Sequence, residues 1–134
     1  FRRLAEKNQA RAIFVGPLPD EDKNALLSLC YGLILPSHLR SEAFGLSLVE
    51  GAMFGKPLIC CEIEAGGTFV NIDGETGLTV PPADPAALRR ALDRLWDDPE
   101  LAARLGAGAA RRYEDLFTAE KMAAAYAEIY RGLI

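Results

Sequence analysis

The sequence predicts an α/β fold, a parallel sheet flanked by helices and ending in a helical tail. Three observations carry this prediction. Short apolar runs alternate with segments of helical periodicity, and most of these runs stop at proline or glycine. From Asp84 onward the pattern is helical throughout. Strands that alternate with helices imply right-handed crossovers and a sheet covered on both faces.

The elements follow in order. Leu4-Ala5-Glu6-Lys7 reads as the tail of a helix, and a chain that starts at Phe1 inside it reads as part of a longer polypeptide. Arg11 to Val15 is an apolar run ending at Gly16-Pro17, expected to be a buried strand. Asp20 is expected to cap the next helix, with Glu21 and Asp22 in its first turn favouring the positive end of the dipole. Gly32 to Leu35 is the second expected strand, stopped by Pro36-Ser37. A helix from about Gly45 comes next, then Pro57 to Cys61 as a strand and Leu78 to Val80 as another. Asp84-Pro85 and Asp98-Pro99 each set a capping acid before a proline at the first helical position. Leu88, Ala91, Leu92 and Leu95 would form the buried stripe of the first of these helices. The last helix, from about Thr118, repeats Met122, Tyr126, Ile129, Tyr130 and Leu133, a stripe suited to a core or a domain-packing surface rather than a ligand box. The whole reads as one Rossmann-like domain over residues 1–134.

Composition narrows the function. Half the 134 residues are hydrophobic and 25% are charged, which suits a globular protein able to bury a core. A net charge of -4 lacks the basic footprint of a nucleic-acid binder. No apolar run approaches the roughly 20 residues that span a bilayer, and no signal peptide is visible. Cys60 and Cys61 are adjacent in an apolar run, so alternation would send them to opposite faces. They read as reduced core residues of a cytoplasmic protein.

In an open parallel sheet, ligands bind beyond the carboxyl ends of the strands. Here those ends are Gly16-Pro17, Pro36 to Phe44, and Glu62 to Thr68. Gly66-Gly67-Thr68 offers backbone that a ligand could approach closely. Phe44-Gly45-Leu46 opens a helix whose first amides have no intrahelical partner, which makes a ready anion site. In the same helix Leu46, Val49 and Met53 recur at helical spacing, and Glu50 falls four residues after Leu46 on that stripe. Turned toward the core, Glu50 needs dedicated donors, because an unpaired buried carboxylate costs several kcal/mol. Its two acceptor oxygens suit a vicinal diol such as a ribose beside a bound diphosphate. Flanking the stripe, it would instead reach solvent. His38, the single histidine, lies in the loop before Glu42 and suits a hydrogen-bonded loop role better than that of a base.

These residues resemble a family. Glu42 and Glu50, with seven residues between them, look like the paired-glutamate signature of retaining glycosyltransferases of family 4, which have the GT-B architecture. Pro36-Ser37, Glu42-Ala43-Phe44-Gly45-Leu46, Gly55-Lys56-Pro57-Leu58-Ile59, Thr76 to Val80 and Asp84-Pro85 fall where that family has them, and Phe117 to Tyr130 is similar to its C-terminal helix, which crosses back toward the acceptor domain. The resemblance implies the C-terminal, donor-binding half of an enzyme that transfers a sugar from a nucleoside diphosphate sugar with retention of configuration. It implies no metal and no cofactor. Glu42 would be the catalytic residue, facing the donor sugar. Ser37, Ala43, Phe44, Gly45 and Leu46 would bind the donor, the last three through backbone contacts to the diphosphate, and Glu50 would hold the ribose hydroxyls. The acceptor, a glycan or lipid-linked molecule, would be held by an N-terminal domain absent from this sequence, with peripheral contact to the inner face of the membrane through that half. The family's diphosphate-binding arginine and lysine would lie before residue 1, and Arg40 reads as a surface loop residue. Gly51 stands where many relatives carry alanine, at some cost in helix propensity.

Other readings use the same architecture. Sugar-nucleotide epimerases, phosphorylases and non-catalytic sugar-nucleotide-binding domains share it, and fold does not choose among them. A receiver-type signalling domain fits poorly, since Lys56-Pro57 precedes a mid-chain strand. A dinucleotide-dependent dehydrogenase lacks its G-x-G-x-x-G.

Overall fold

The computed structural model describes residues 2–7, 9 and 11–133. Its elements run α1 (Arg2–Lys7), α2 (Asp20–Leu29), β1 (Leu33–Leu35), α3 (Leu46–Met53), β2 (Leu58–Cys61), α4 (Gly67–Val70), β3 (Gly77–Val80), α5 (Pro85–Asp97), α6 (Pro99–Leu116) and α7 (Ala119–Arg131). The three strands form one parallel sheet in the order β1-β2-β3, with Ile34 opposite Ile59 and Ile59 opposite Leu78. This is the α/β, Rossmann-like class that the alternation predicts.

Every residue of β2 is buried, as a central parallel strand requires. Alternation along it divides the core. Ile59 and Cys61 face α5 and α6, among Leu78, Val80, Ala91, Leu95 and Leu105. Leu58 and Cys60 face the other side, with Leu48 and Ala52 of α3, Val70 of α4 and Ala109 of α6. The neighbouring cysteines thus point to opposite faces, both are free thiols, and burial pushes both above the usual thiol range.

Both Asp-Pro starts behave as expected. Asp84 accepts from the Ala87 amide and Asp98 from the Leu101 amide, each at 2.9 Å. Thr118 caps α7 through the Lys121 amide. A buried polar knot closes β3. The Asn71 side-chain amide donates to the Leu78 carbonyl at 3.0 Å, and its oxygen accepts from the Thr76 hydroxyl at 3.0 Å. Both side chains are satisfied, so burying them is tolerated.

Four expectations need correction. Arg11 to Val15 is not a strand, and Ile13 is 91% exposed. Apolar composition favours extended backbone but supplies no neighbour for its N–H and C=O groups; among the described residues the run lies in no ladder, and β1 ends the sheet. Asp20 is the first residue of α2 instead of its cap; Pro19 holds the cap position, and Asp20 pairs with Lys23 at 3.1 Å. In α3 the buried face is Leu48, Gly51 and Ala52, whereas Leu46 and Met53 are exposed, so the stripe is rotated from the expected one. Leu92, assigned to the α5 stripe, is 40% exposed, and Ala87 takes the buried place. The α7 stripe could serve as core or as a domain-packing surface; no residue of that helix is buried, which is compatible with the second.

The rotation of α3 explains Gly51. A Cβ there would lie 2.9 Å from Leu58 Cδ2 and 3.0 Å from Leu33 Cβ. The missing side chain lets α3 sit directly on β1 and β2, a packing gain set against the lower helix propensity of glycine.

Candidate donor-binding site

The loop after β1, the loop after β2 and the start of α3 meet at the carboxyl end of the sheet. Gly45 is the N-cap of α3 and takes the left-handed conformation, φ 83° and ψ 53°, which favours glycine. Its carbonyl accepts from the Leu48 amide at 2.8 Å. Leu46 and Ser47 occupy the first helical positions, where no helical carbonyl precedes them, and their side chains are exposed.

Glu42 is half-buried and turned into its own loop. Its Oε1 accepts from the Gly45 amide at 3.2 Å, and its Oε2 lies 3.5 Å from the Ser37 hydroxyl, which donates to it. One carboxylate thus ties the end of β1 to the start of α3 and places negative charge at the positive end of the helix. Ser37, His38, Leu39, Ser41 and Glu42 line an open cleft of about 250 Å³. His38 and Arg40 are exposed, the latter 3.5 Å from Glu64.

Glu50 is not turned to the core. It sits beside the buried face of α3, its side chain 42% exposed, and its Oε1 accepts from Lys23 Nζ of α2 at 2.8 Å. The dedicated donor asked of a buried carboxylate therefore exists, but at the surface and as an ammonium. Hydrogen bonding to Glu50, then to Asp20, raises the Lys23 pKa above its ordinary value.

The second loop supports the first. The Gly66 amide donates to the Ala43 carbonyl at 3.0 Å. Phe44 packs with Phe69 of α4 and Phe117 beyond α6, with ring centroids 5.9 to 6.4 Å apart. Arg112 lies 5.1 Å from the Phe69 ring centroid, and its Nε donates to the Phe69 carbonyl at 3.1 Å. Close approach at Gly66 is therefore made by the protein's own backbone at Ala43 and Phe44.

The structure brings Ser37, Glu42, Ala43, Phe44, Gly45 and Leu46 to one edge of the sheet, with Glu50 one turn along α3. Sequence reasoning missed Lys23, Phe69, Arg112 and Phe117. Nothing in the sequence ties Lys23 to a residue 27 positions away.

Residues 2–112 match the family of group 1 glycosyl transferases. The chain belongs to that family. It is 58% identical over 106 residues to the D-rhamnosyltransferase WbpZ of Pseudomonas aeruginosa, covering 79% of this chain and 28% of that protein. It is 45% identical over 133 residues to the O-antigen chain mannosyltransferase C of Escherichia coli, covering 99% of this chain and 36% of that one. Among solved structures, sucrose-phosphate synthase from Thermosynechococcus elongatus superposes with a TM-score of 0.90 at 34% identity, over 98% of this chain and 33% of its own. The chain spans about a third of the length of these relatives. The fold is also shared with Anabaena HepE, solved in complex with UDP, at a TM-score of 0.84 and 21% identity. In this glycosyl transferase chain, no helix among the described residues is long and apolar enough to cross a membrane.

Proposed function

We propose that this chain is the donor-binding half of a retaining, family 4 glycosyltransferase of GT-B architecture, which transfers a hexose-type sugar from a UDP- or GDP-linked donor. The observation that carries the reading is the left-handed Gly45 starting α3 beside Glu42, at the carboxyl edge of a parallel sheet. Negative charge grows on the leaving diphosphate as the glycosidic bond breaks, and fixed amide dipoles at a helix start stabilise it. The Leu46 amide, at the first helical position of α3, is the donor this reading uses. The Gly45 amide is held by Glu42 and would have to be shared. Glu50 keeps its Oε2 for the ribose hydroxyls while Lys23 holds Oε1.

Two relatives named for rhamnosyl and mannosyl transfer support a hexose-type sugar, and the O-antigen name of one supports a glycan or lipid-linked acceptor. The acceptor would be bound outside this chain, at the inner face of the membrane, so the chain alone binds donor and turns over little. Neither metal nor cofactor enters this reading; equal UDP affinity with and without EDTA is the matching test.

The bonds of Glu42 favour a second reading of its role, in which it positions the loop more than it meets the sugar. Titration calorimetry with UDP, GDP and ADP tests the whole. One uridine or guanosine nucleotide should bind, and Glu50→Ala should weaken binding of that nucleotide more than that of pyrophosphate. Equal affinity of wild type and mutant for the nucleotide rejects the ribose role.

A further inference from the structure

We infer that Gly66 is a positioning residue for the donor loop, and that its bare backbone sets where the amides at the start of α3 lie. The inference rests on the donor-binding reading of that loop.

Gly66 has φ -55° and ψ -21°, an ordinary right-handed conformation open to any residue. Its own backbone therefore gives no reason for glycine, and an alanine there would adopt the same torsions with less entropy to lose. The reason lies across the gap. A Cβ on residue 66 would lie 2.6 Å from the Ala43 carbonyl oxygen, 2.6 Å from Phe44 Cα and 2.9 Å from Phe44 Cδ2. The first two are backbone atoms, which no rotamer change can move. The loop would have to retreat, losing the bond from the Gly66 amide to the Ala43 carbonyl and carrying Gly45 with it. Ala43 is exposed and Phe44 lies at the margin of the core against Phe69 and Phe117, so a retreat of the loop disturbs that aromatic contact and the buried Gly45 before the strands beneath.

The adjacent glycine is the control. A Cβ on Gly67 would meet only Leu48 Cδ1, at 3.6 Å, an ordinary contact. Two neighbouring glycines thus carry opposite demands.

The experiment compares Gly66→Ala and Gly67→Ala with the wild-type chain by thermal melting, amide NMR shifts and titration with UDP and GDP. Gly66→Ala should still melt cooperatively, though below the wild-type temperature because the clash and the lost amide bond both cost stability. It should shift the amides of Ala43 to Ser47, and weaken nucleotide binding about tenfold or more, the order that losing one hydrogen bond to a charged group costs. Gly67→Ala should leave the amides of Ala43 to Ser47 where they are. Unchanged loop amides in Gly66→Ala, or equal amide shifts in both variants, overturn the inference. So does a Gly66→Ala chain without a cooperative melt, because the contact then holds the fold and not the loop. A wild-type chain that binds neither nucleotide sinks the donor-binding reading instead, and the amide shifts still decide whether Gly66 sets the loop.

Discussion

Removing the Glu42 carboxylate by Glu42→Ala should destabilise the chain as well as alter its site. The side chain accepts from the Gly45 amide at 3.2 Å and from the Ser37 hydroxyl at 3.5 Å, and it is half-buried. The first bond satisfies the amide of the N-cap residue, and such a bond is worth about 1 kcal/mol net, somewhat more when the acceptor is charged. The second is at the limit of hydrogen-bond length and adds little. A net loss of about 1 to 1.5 kcal/mol follows. For a domain of this size each kcal/mol moves Tm by about 3 to 5 °C, interpolating between smaller and larger domains. Glu42→Ala should then melt about 3 to 7 °C below wild type by calorimetry. Glu42→Gln keeps an acceptor for the amide but loses the charge, and should recover about half of that. Equal melting of Ala variant and wild type would refute the claim that Glu42 holds the loop. The consequence for activity assays is direct: a loss of turnover in Glu42→Ala mixes loop displacement with chemistry, and the Gln variant is the one that separates them.

Gly51→Ala sets a gain in helix propensity of about 0.5 to 1 kcal/mol against overpacking on Leu33 Cβ, which typically costs about 1 to 3 kcal/mol; denaturation midpoints in urea should fall, and a rise would show that α3 can lift without cost. The Lys23 pKa is raised above 10.5 by Glu50 and then Asp20, so its contribution is complete below pH 10.5 and fades as pH climbs through the folded value. Lys23→Met should therefore flatten the alkaline limb of a stability profile, and a limb identical to wild type would discount the pair. Cys60 and Cys61 are buried with raised pKa values while Cys30 is half-buried, so a thiol reagent near neutral pH should label Cys30 first and the pair only on unfolding. Native-state labelling of Cys60 ahead of Cys30 would contradict the packing of β2.

The parts of the fold legible in the sequence are those fixed by local chemistry. Asp84 and Asp98 announce their helices because an acid before proline is a start signal whatever lies around it, and the burial of Cys60 and Cys61 on opposite faces follows from strand alternation alone. Gly45 was legible for the same reason, as a glycine where a loop turns into a helix. What failed depended on partners. Arg11 to Val15 has strand composition, but a strand exists only against a neighbour, and composition does not name one. The α3 stripe failed because eight residues with leucines at 46 and 48 allow two faces, and the choice was made by Gly51, whose small size fits Leu58 and Leu33. The α7 stripe was read correctly as amphipathic, yet no local signal says whether the surface it needs lies within this chain.

The changed position of Glu50 alters what supports the proposed donor site. Had the carboxylate been buried, its cost would have demanded a partner, and a ligand would have been a natural one. Half-exposed and paired with Lys23, it costs the fold little, because a solvent-screened surface ion pair contributes little either way. Its presence alone is therefore no argument for function, and the weight passes to features that local folding does not ask for. Gly66 is one: its torsions suit any residue, and only the loop at Ala43 and Phe44 excludes a side chain. Glu42 is another, a carboxylate held by the Gly45 amide and the Ser37 hydroxyl of its own loop. Both fix the same few backbone atoms ahead of α3. A loop braced from two sides ahead of the first helical amides is what the proposed function asks of groups that must already be in place when charge develops on a leaving group.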